Sequence, residues 1–294
     1  MAQLFAAVDC GTNSVRLLVV DADGREIERR LHITRLGQGV DATGEFAPEA
    51  LQRTFAAFDD FGAQLRGLGG AVTRVVATSA ARDARNAAEF FAGARRAFGV
   101  DAEIISGAEE AALSFAGATA GLPGAVKPLV MDVGGGSTEL VCPPLAVSLD
   151  MGSVRVRERF LGSDPPTIAQ VEAASEFINS LLDTVTFEAE TWVGVGGTAT
   201  CLAAIAQRLP AYDRTRVHGY VMPPDVLDDL AQDLLRMTVA EVKALPSMEP
   251  GRADVICAGA LICREVGART NLPLTVSESD ILDGIVARLR QSQA

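Results

Sequence analysis

The sequence repeats one short pattern at two places 123 positions apart, and this repeat limits the folds open to the chain. The matching positions are Asp9 with Asp132, Gly11 with Gly134, Ser14 with Ser137 and Leu17 with Leu140. In both copies an apolar, strand-like run precedes the glycine turn and another follows it. A repeat with so long a period predicts two similar domains rather than a solenoid.

Strand-like and helix-like stretches alternate along the chain, a pattern typical of α/β layer folds. Strands are predicted at 4–8, 15–20, 74–77, 102–105, 128–133, 140–142 and 191–195, and helices at 48–68, 86–98, 109–120, 254–266 and 281–289. The stretch Gly121-Leu-Pro-Gly124 interrupts this alternation and is the predicted hinge. We therefore expect one domain over residues 1–124 and a second over 125–294, with the terminal helix free to pack back on the first domain.

Three glycine-bearing turns follow predicted strands and could bring backbone N–H groups close to phosphate oxygens, because glycine lets the main chain approach a ligand. Their residues are Gly11, Thr12, Asn13 and Ser14; Gly134, Gly135, Gly136 and Ser137; and Gly196, Gly197 and Thr198. A single glycine turn often only connects two elements, but three turns with similar flanks favour phosphate binding. None fits the P-loop or dinucleotide-binding pattern, which argues against ordinary nucleoside triphosphatases and dehydrogenases.

Acidic residues accompany two of these turns. Asp9 and Asp132 stand at the ends of predicted strands, and Glu139 follows the second turn closely. A carboxylate beside bound phosphate is accounted for when Mg²⁺ is held by one or two carboxylates and by substrate oxygens. Each acid taken alone would more commonly be a turn-capping or solvated residue, so the prediction of metal ligands depends on the whole set.

Charge and composition narrow the function classes. The formal net charge of −12 argues against general affinity for nucleic acid and would repel an anionic substrate at long range, so any phosphate site must be built locally. No apolar run is long enough to cross a bilayer, and the start MAQLFAAVDCG lacks a basic region and a cleavage site. The five cysteines are scattered without a CxxC pair, as expected for reduced thiols. We expect a cytoplasmic protein that binds neither membrane nor nucleic acid.

Several segments resemble, in order, the motifs of the exopolyphosphatase and guanosine pentaphosphate phosphohydrolase (Ppx/GppA) family. They are Val8–Arg16, Ala77–Asn86, Ile105–Ala111 and Asp132–Leu140, followed by Met151–Arg155, Gly194–Thr200, Val217–Gly219 and Pro250–Val255. The resemblance covers nearly the whole chain. It implies a two-domain actin-like (ribonuclease H-like) ATPase-type α/β fold with the site in an interdomain cleft. It also implies hydrolysis of polyphosphate or guanosine pentaphosphate, a divalent-metal requirement such as Mg²⁺, and compatibility with a homodimer.

The resemblance also assigns roles to individual residues. Glu110 corresponds to the family's catalytic base, which activates water, and Arg82 to the arginine that binds substrate phosphate. Asp132 and Glu139 correspond to the acids assigned to metal binding or catalysis, and the three glycine turns to the phosphate-contacting loops. Without the resemblance, Glu110 would be read as a helix N-terminal residue favoured by the helix dipole.

Two departures leave the substrate open. Ala112 stands where the family often has arginine, and the segment Ser277–Gly284 is acidic where the family pattern contains arginine. The leading prediction is an exopolyphosphatase that prefers short chains. The alternatives are a guanosine pentaphosphate phosphohydrolase with the same chemistry, a noncatalytic sensor of polyphosphate or alarmone, and a sugar-kinase-like transferase, which the Glu109–Glu110 pair disfavours.

Overall fold

A computed structural model describes residues 3–293 of the chain. Contacts between Cα atoms divide the chain into two compact units. Unit 1 comprises residues 1–117 and 281–294, and unit 2 comprises residues 118–280. The first division falls inside one helix, Gly107–Gly121.

Unit 1 is built on a five-stranded sheet. Its strands are β1 (Leu4–Cys10), β2 (Ser14–Asp21), β3 (Glu26–Ile33), β4 (Val72–Ala77) and β5 (Ala102–Ile104). Its helices are α1 (Val40–Thr43), α2 (Pro48–Gly67), α3 (Ser79–Asp83), α4 (Ala88–Phe98), the start of α5 (Gly107–Gly121) and α13 (Ile281–Gln291). The strand order is β3-β2-β1-β4-β5, in which β1 pairs antiparallel with β2 and parallel with β4.

Unit 2 repeats this arrangement on a six-stranded sheet. Its strands are β6 (Pro128–Val133), β7 (Thr138–Cys142), β8 (Leu145–Leu149), β9 (Thr191–Val195), β10 (Val221–Met222) and β11 (Leu274–Val276). Its helices are α6 (Ser153–Phe160), α7 (Ile168–Leu182), α8 (Gly196–Ala206), α9 (Arg214–Val217), α10 (Pro224–Arg236), α11 (Val239–Lys243) and α12 (Ile256–Thr270), with a 3₁₀ turn at Pro250–Arg252. The order β8-β7-β6-β9-β11 matches that of unit 1, and β10 extends the edge.

The apolar character of β1 follows from burial on both faces of its sheet. Ala6 and Val8 belong to the core on one face, which is filled by side chains such as Phe58 of α2 and Phe90 of α4. Phe5 and Ala7 belong to the core on the other face, which α13 covers with residues including Ile285. A strand buried on both faces reads as a continuous apolar run, which is why the sequence pattern located it.

The α/β class and the duplication predicted from the repeat are confirmed. The predicted strands and helices are all present, with bounds that differ by a few residues. The third glycine turn leads into helix α8, so Gly196, Gly197 and Thr198 form the first turn of that helix.

Candidate active site

The first glycine turn connects β1 to β2 and is closed by a hydrogen bond from the Gly11 N–H to the Ser14 carbonyl at 3.0 Å. The loop after β3 is bonded to the carbonyls of this turn. Asn13 O accepts the N–H groups of Thr34 and Arg35 at 3.0 and 2.9 Å. In a trans peptide the C=O and the next N–H point in opposite directions, so these bonds turn the Ser14 N–H away from that loop.

The second turn has the same closure in unit 2, because the Gly134 N–H donates to the Ser137 carbonyl at 3.0 Å. The start of α6 binds the carbonyls of the turn. Gly134 O accepts the N–H of Ser153 and Gly135 O the N–H of Val154, both at 2.8 Å. By the same peptide geometry, the N–H groups of Gly135 and Gly136 point away from α6. With its carbonyls engaged elsewhere, the turn can present donors to an anion.

The third glycine segment lies beside the second turn, within unit 2. Thr198 Oγ1 donates to the carbonyl of Val133, the last residue of β6, at 2.9 Å. Gly196 has φ +75°, and a Cβ there would come within 2.5 Å of Asp132 Oδ1, so this carboxylate packs directly against the glycine. The N-cap residue Val195 makes no side-chain cap. A helix N-terminus of this kind favours anions, because its backbone N–H groups and its dipole both point toward them.

The predicted metal ligands differ in their surroundings. In unit 2, Asp132 and Glu139 stand directly opposite each other on β6 and β7, so both carboxylates project from the same face of the sheet. Glu139 is 1% exposed and accepts a hydrogen bond from Ser148 Oγ at 2.6 Å. In unit 1, Asp9 stands opposite Arg16, whose Nε and Nη2 both donate to Asp9 Oδ2, at 3.0 and 2.7 Å. At the position in unit 2 that is equivalent to Arg16 of unit 1, the chain therefore has Glu139.

These acids do not form a three-ligand cluster of their own. Across residues 3–293 there is no group of three or more His, Cys, Asp and Glu side chains positioned to hold a metal ion. A magnesium site that relies on one or two carboxylates needs further oxygens from water or substrate.

The two residues predicted to act on the phosphate and on water are brought together in unit 1. Arg82 lies in α3, and Glu110 lies in the first turn of α5. Arg82 Nη1 donates to Glu110 Oε2 at 2.8 Å and to the carbonyl of Ile105 at 3.0 Å. Glu110 is only 9% exposed. A carboxylate held by a partner in this way has a defined orientation, which a general base requires.

Three arginines at the turns received no role from the sequence. Arg16 pairs with Asp9, and Arg155 Nε donates to the Gly136 carbonyl at 2.8 Å. The guanidinium of Arg252 lies against Gly197, where a Cβ would come within 1.8 Å of Nη1. All three fall inside segments that carried the family resemblance, and this was the signal that could have identified them.

The acidic segment 277–284 is partly neutralised by its surroundings. Glu278 accepts a hydrogen bond from Arg214 Nε at 2.9 Å and another from the hydroxyl of Tyr212. Burial, followed by the charge of Glu278, raises the pKa of Tyr212, so the phenol remains a donor. Asp283 pairs with Arg29 at 3.0 Å within unit 1. The paired state of these two carboxylates weakens the expectation that they repel polyphosphate.

None of the helices in the described part of the chain combines the length and apolar character needed to cross a bilayer. The five cysteines at positions 10, 142, 201, 257 and 263 are free thiols and are buried.

Two α/β units that share one strand order, each with a glycine turn after its first strand, define an actin-like (ribonuclease H-like) protein, as predicted. The sequence profile described as the Ppx/GppA phosphatase family matches residues 18–272. The chain is 46% identical to Exopolyphosphatase 2 of Mycobacterium tuberculosis over an alignment of 311 residues, which covers 97% of this chain and 98% of the relative.

Solved structures agree with this match. A crystal structure of an exopolyphosphatase-like protein has 37% identity and a TM-score of 0.95, covering 99% of this chain and 100% of the other. The Ppx/GppA family member of Aquifex aeolicus has 29% identity and a TM-score of 0.83, with full coverage of both chains at 100%. The chain belongs to the Ppx/GppA phosphatase family. The predicted enzyme class, a phosphoric anhydride hydrolase, is confirmed by this membership.

Proposed function

We propose that this protein is an exopolyphosphatase that removes terminal phosphate from inorganic polyphosphate, with a preference for short chains. The observation that carries the proposal is the buried Glu110 carboxylate held by Arg82 at 2.8 Å, which is the arrangement expected of an oriented general base. The name of the mycobacterial relative supports polyphosphate as the substrate. The preference for short chains rests on the net charge of −12, because a longer polyanion meets more repulsion.

In the proposed reaction, Glu110 accepts a proton from water while the water oxygen attacks the terminal phosphorus. The P–O bond to the bridging oxygen breaks, inorganic phosphate is released, and the electron pair leaves on the polyphosphate shortened by one unit. Arg82 binds the phosphate and balances the charge that develops on its oxygens, as guanidinium groups do in phosphoryl transfer. The three glycine turns orient the chain through backbone N–H groups.

The residues of unit 2 fit a divalent cation such as Mg²⁺. The facing carboxylates of Asp132 and Glu139 are hard oxygen ligands, and two carboxylates completed by substrate oxygens are a common way to bind this ion. When bound, the ion would neutralise phosphate charge and orient the phosphoryl group. We propose Asp132 and Glu139 as the residues that hold it. Asp9 is the third predicted ligand. Oδ2 of that carboxylate already accepts two hydrogen bonds from Arg16, so metal binding by Asp9 stays a prediction.

The substrate is tested by offering tripolyphosphate, long-chain polyphosphate and guanosine pentaphosphate separately with Mg²⁺ and following the release of phosphate over time. We expect the highest kcat/KM for tripolyphosphate. Faster release from guanosine pentaphosphate would make the alarmone the substrate, with the same chemistry. Tight binding of any of the three compounds without release of phosphate would indicate that the protein is a sensor and not an enzyme.

We also propose that the protein works in the cytoplasm as a homodimer. Buried free thiols suit a reducing compartment and support the first part of this proposal. The second part rests only on the family resemblance. Light scattering on the purified protein across a concentration series measures the mass directly, and a constant mass of one chain would contradict the dimer.

A further inference from the structure

Arg155 is a buried guanidinium that the reaction proposed above does not use. It lies in α6, and its side chain is 9% exposed. Its Nε donates to the Gly136 carbonyl at 2.8 Å, and its Nη2 lies 3.8 Å from Oδ1 of the exposed Asp150. Taking a charged side chain out of water is costly, and the hydrogen bond to the Gly136 carbonyl offsets part of that cost.

The repeat supplies a comparison inside the same molecule. Position 136 of the second turn corresponds to Asn13 of the first turn, and both carbonyls accept two hydrogen bonds. For Asn13 both donors are backbone N–H groups, at 3.0 and 2.9 Å. For Gly136 one donor is the Gly152 N–H at 3.1 Å and the other is the Arg155 guanidinium. At this carbonyl, unit 2 therefore has one charged donor, whereas both donors at the equivalent carbonyl of unit 1 are neutral.

The Gly136 carbonyl and the Ser137 N–H belong to one peptide group and point in opposite directions. A charge-assisted hydrogen bond to the carbonyl is stronger than a neutral one, and it polarises the peptide so that its N–H becomes a better donor. Arg155 thus acts on the side of the turn opposite to the ligand. The close approach of α6 depends on Gly152, since a Cβ there would come within 2.3 Å of the Gly135 carbonyl oxygen.

We propose that Arg155 is a positioning residue, which fixes and polarises the second turn so that the Ser137 N–H binds a phosphate of the substrate. This inference rests on the proposed function, because it takes the second turn as a phosphate site. It predicts that Arg155 sets affinity for the phosphate chain and has little effect on the proton transfer assigned to Glu110.

The test compares Arg155→Met and Arg155→Lys with Arg157→Met. Arg157 is the matched control, because it lies in the same helix and also donates to a backbone carbonyl, that of Ser163, at 3.0 Å. The dissociation constant for tripolyphosphate is measured by calorimetry, kcat and KM are measured by phosphate release, and Tm is measured for each variant. We expect Arg155→Met to raise Kd and KM about 10-fold with kcat within about 2-fold of wild type, as expected for a lost charged hydrogen bond. Arg155→Lys should recover part of this loss, and Arg157→Met should bind as wild type does.

Equal affinity of Arg155→Met and Arg157→Met for tripolyphosphate would overturn the proposal, whatever their Tm values, because Arg155 would then only stabilise the fold. If Arg155→Met does not fold, the lysine variant decides: affinity equal to wild type would count against the proposal. The wild type could also bind tripolyphosphate in a way that depends on Arg155 but release no phosphate. This result would contradict the proposed hydrolase function and support the positioning role of Arg155. No binding of tripolyphosphate by the wild type would overturn both.

Discussion

Arg82 bridges two points at the start of α5, because one nitrogen, Nη1, donates both to the Glu110 carboxylate at 2.8 Å and to the Ile105 carbonyl at 3.0 Å. The guanidinium thereby fixes the carboxylate relative to the end of β5. The same pair couples two predicted roles, since a group that binds phosphate also orients the group that activates water. Mutations of either residue should therefore affect both binding and turnover, but in different proportions.

Glu110→Gln keeps the size of the side chain and removes the proton acceptor. We expect kcat to fall by about 10²- to 10⁴-fold, the usual contribution of a general base, with affinity for tripolyphosphate retained. Single-turnover phosphate release measures the effect. Glu109→Gln is the control, because Glu109 is adjacent in α5 but pairs with Arg74 at 2.8 Å. Near-normal release by Glu110→Gln would remove this residue from the mechanism.

Arg82→Ala should lower kcat/KM more than Arg82→Lys does. Lysine keeps the charge but lacks the planar guanidinium, which can bind a phosphate with two parallel hydrogen bonds. Steady-state kinetics on tripolyphosphate compare the two variants. Equal losses in both would mean that the planar geometry is essential and that charge alone contributes nothing measurable, whereas full activity of the lysine variant would mean that charge alone suffices.

Asp132→Ala and Glu139→Ala should each raise the Mg²⁺ concentration needed for half-maximal activity, because each removes a hard oxygen ligand or its support. A magnesium titration of phosphate release at saturating substrate measures this shift. Asp183→Ala is a suitable control, because that carboxylate is exposed in unit 2 and pairs with Arg269 at 2.7 Å. An unchanged magnesium requirement in both variants would rule out the assignment.

The buried thiols should make stability fall in alkaline solution. Burial raises the pKa of Cys201 to about 11 and that of Cys263 to about 12, above the ordinary value of 9.0. A group whose pKa is raised by folding keeps its full contribution to stability below the unfolded pKa. That contribution is lost as the pH rises from about 9 to about 12, because only the unfolded chain can ionise.

Denaturant unfolding at a series of pH values measures this loss, and Cys263→Ala should reduce its slope. A thiol-reactive dye at pH 8 provides a second measurement. The buried thiols should stay unlabelled in the folded protein and react once denaturant is added. Rapid labelling of Cys263 without denaturant would contradict the burial.

The duplicated sheets could be predicted because their signals are local. A run buried on both faces and a glycine turn at its end are visible within about ten residues of sequence, and the repeat supplied a second copy. β3 was not predicted, since Glu26–Ile33 lies at the edge of its sheet and carries charged residues throughout. Its apolar residues are separated by charged ones, and two of them, Ile27 and Leu31, are 45% and 41% exposed, so the pattern is weaker than that of a buried strand.

The pairing of side chains could not be predicted in the same way. Arg82 and Glu110 meet because β4 and β5 are parallel neighbours, with Ala77 paired to Ile104, so the segments that follow them emerge at one edge of the sheet. Likewise, the sequence places Glu139 near the second turn, but only the β6–β7 register sets it opposite Asp132. The first contact depends on the pairing of two strands that are distant in the sequence, and the second on the exact register of the β6–β7 hairpin.

The placement of α13 has a consequence for synthesis on the ribosome. One face of the first sheet, with Phe5 and Leu18, is covered by Ile281, Ile285 and Val286, which are translated after the whole of unit 2. The part of the chain made first therefore exposes an apolar sheet face until residues 281–286 have emerged, while unit 2 already has every residue of its own core. Although the first strands of unit 1 are translated before unit 2, unit 2 should therefore complete its folding first. Unit 1 should be the part that depends on chaperones during that delay.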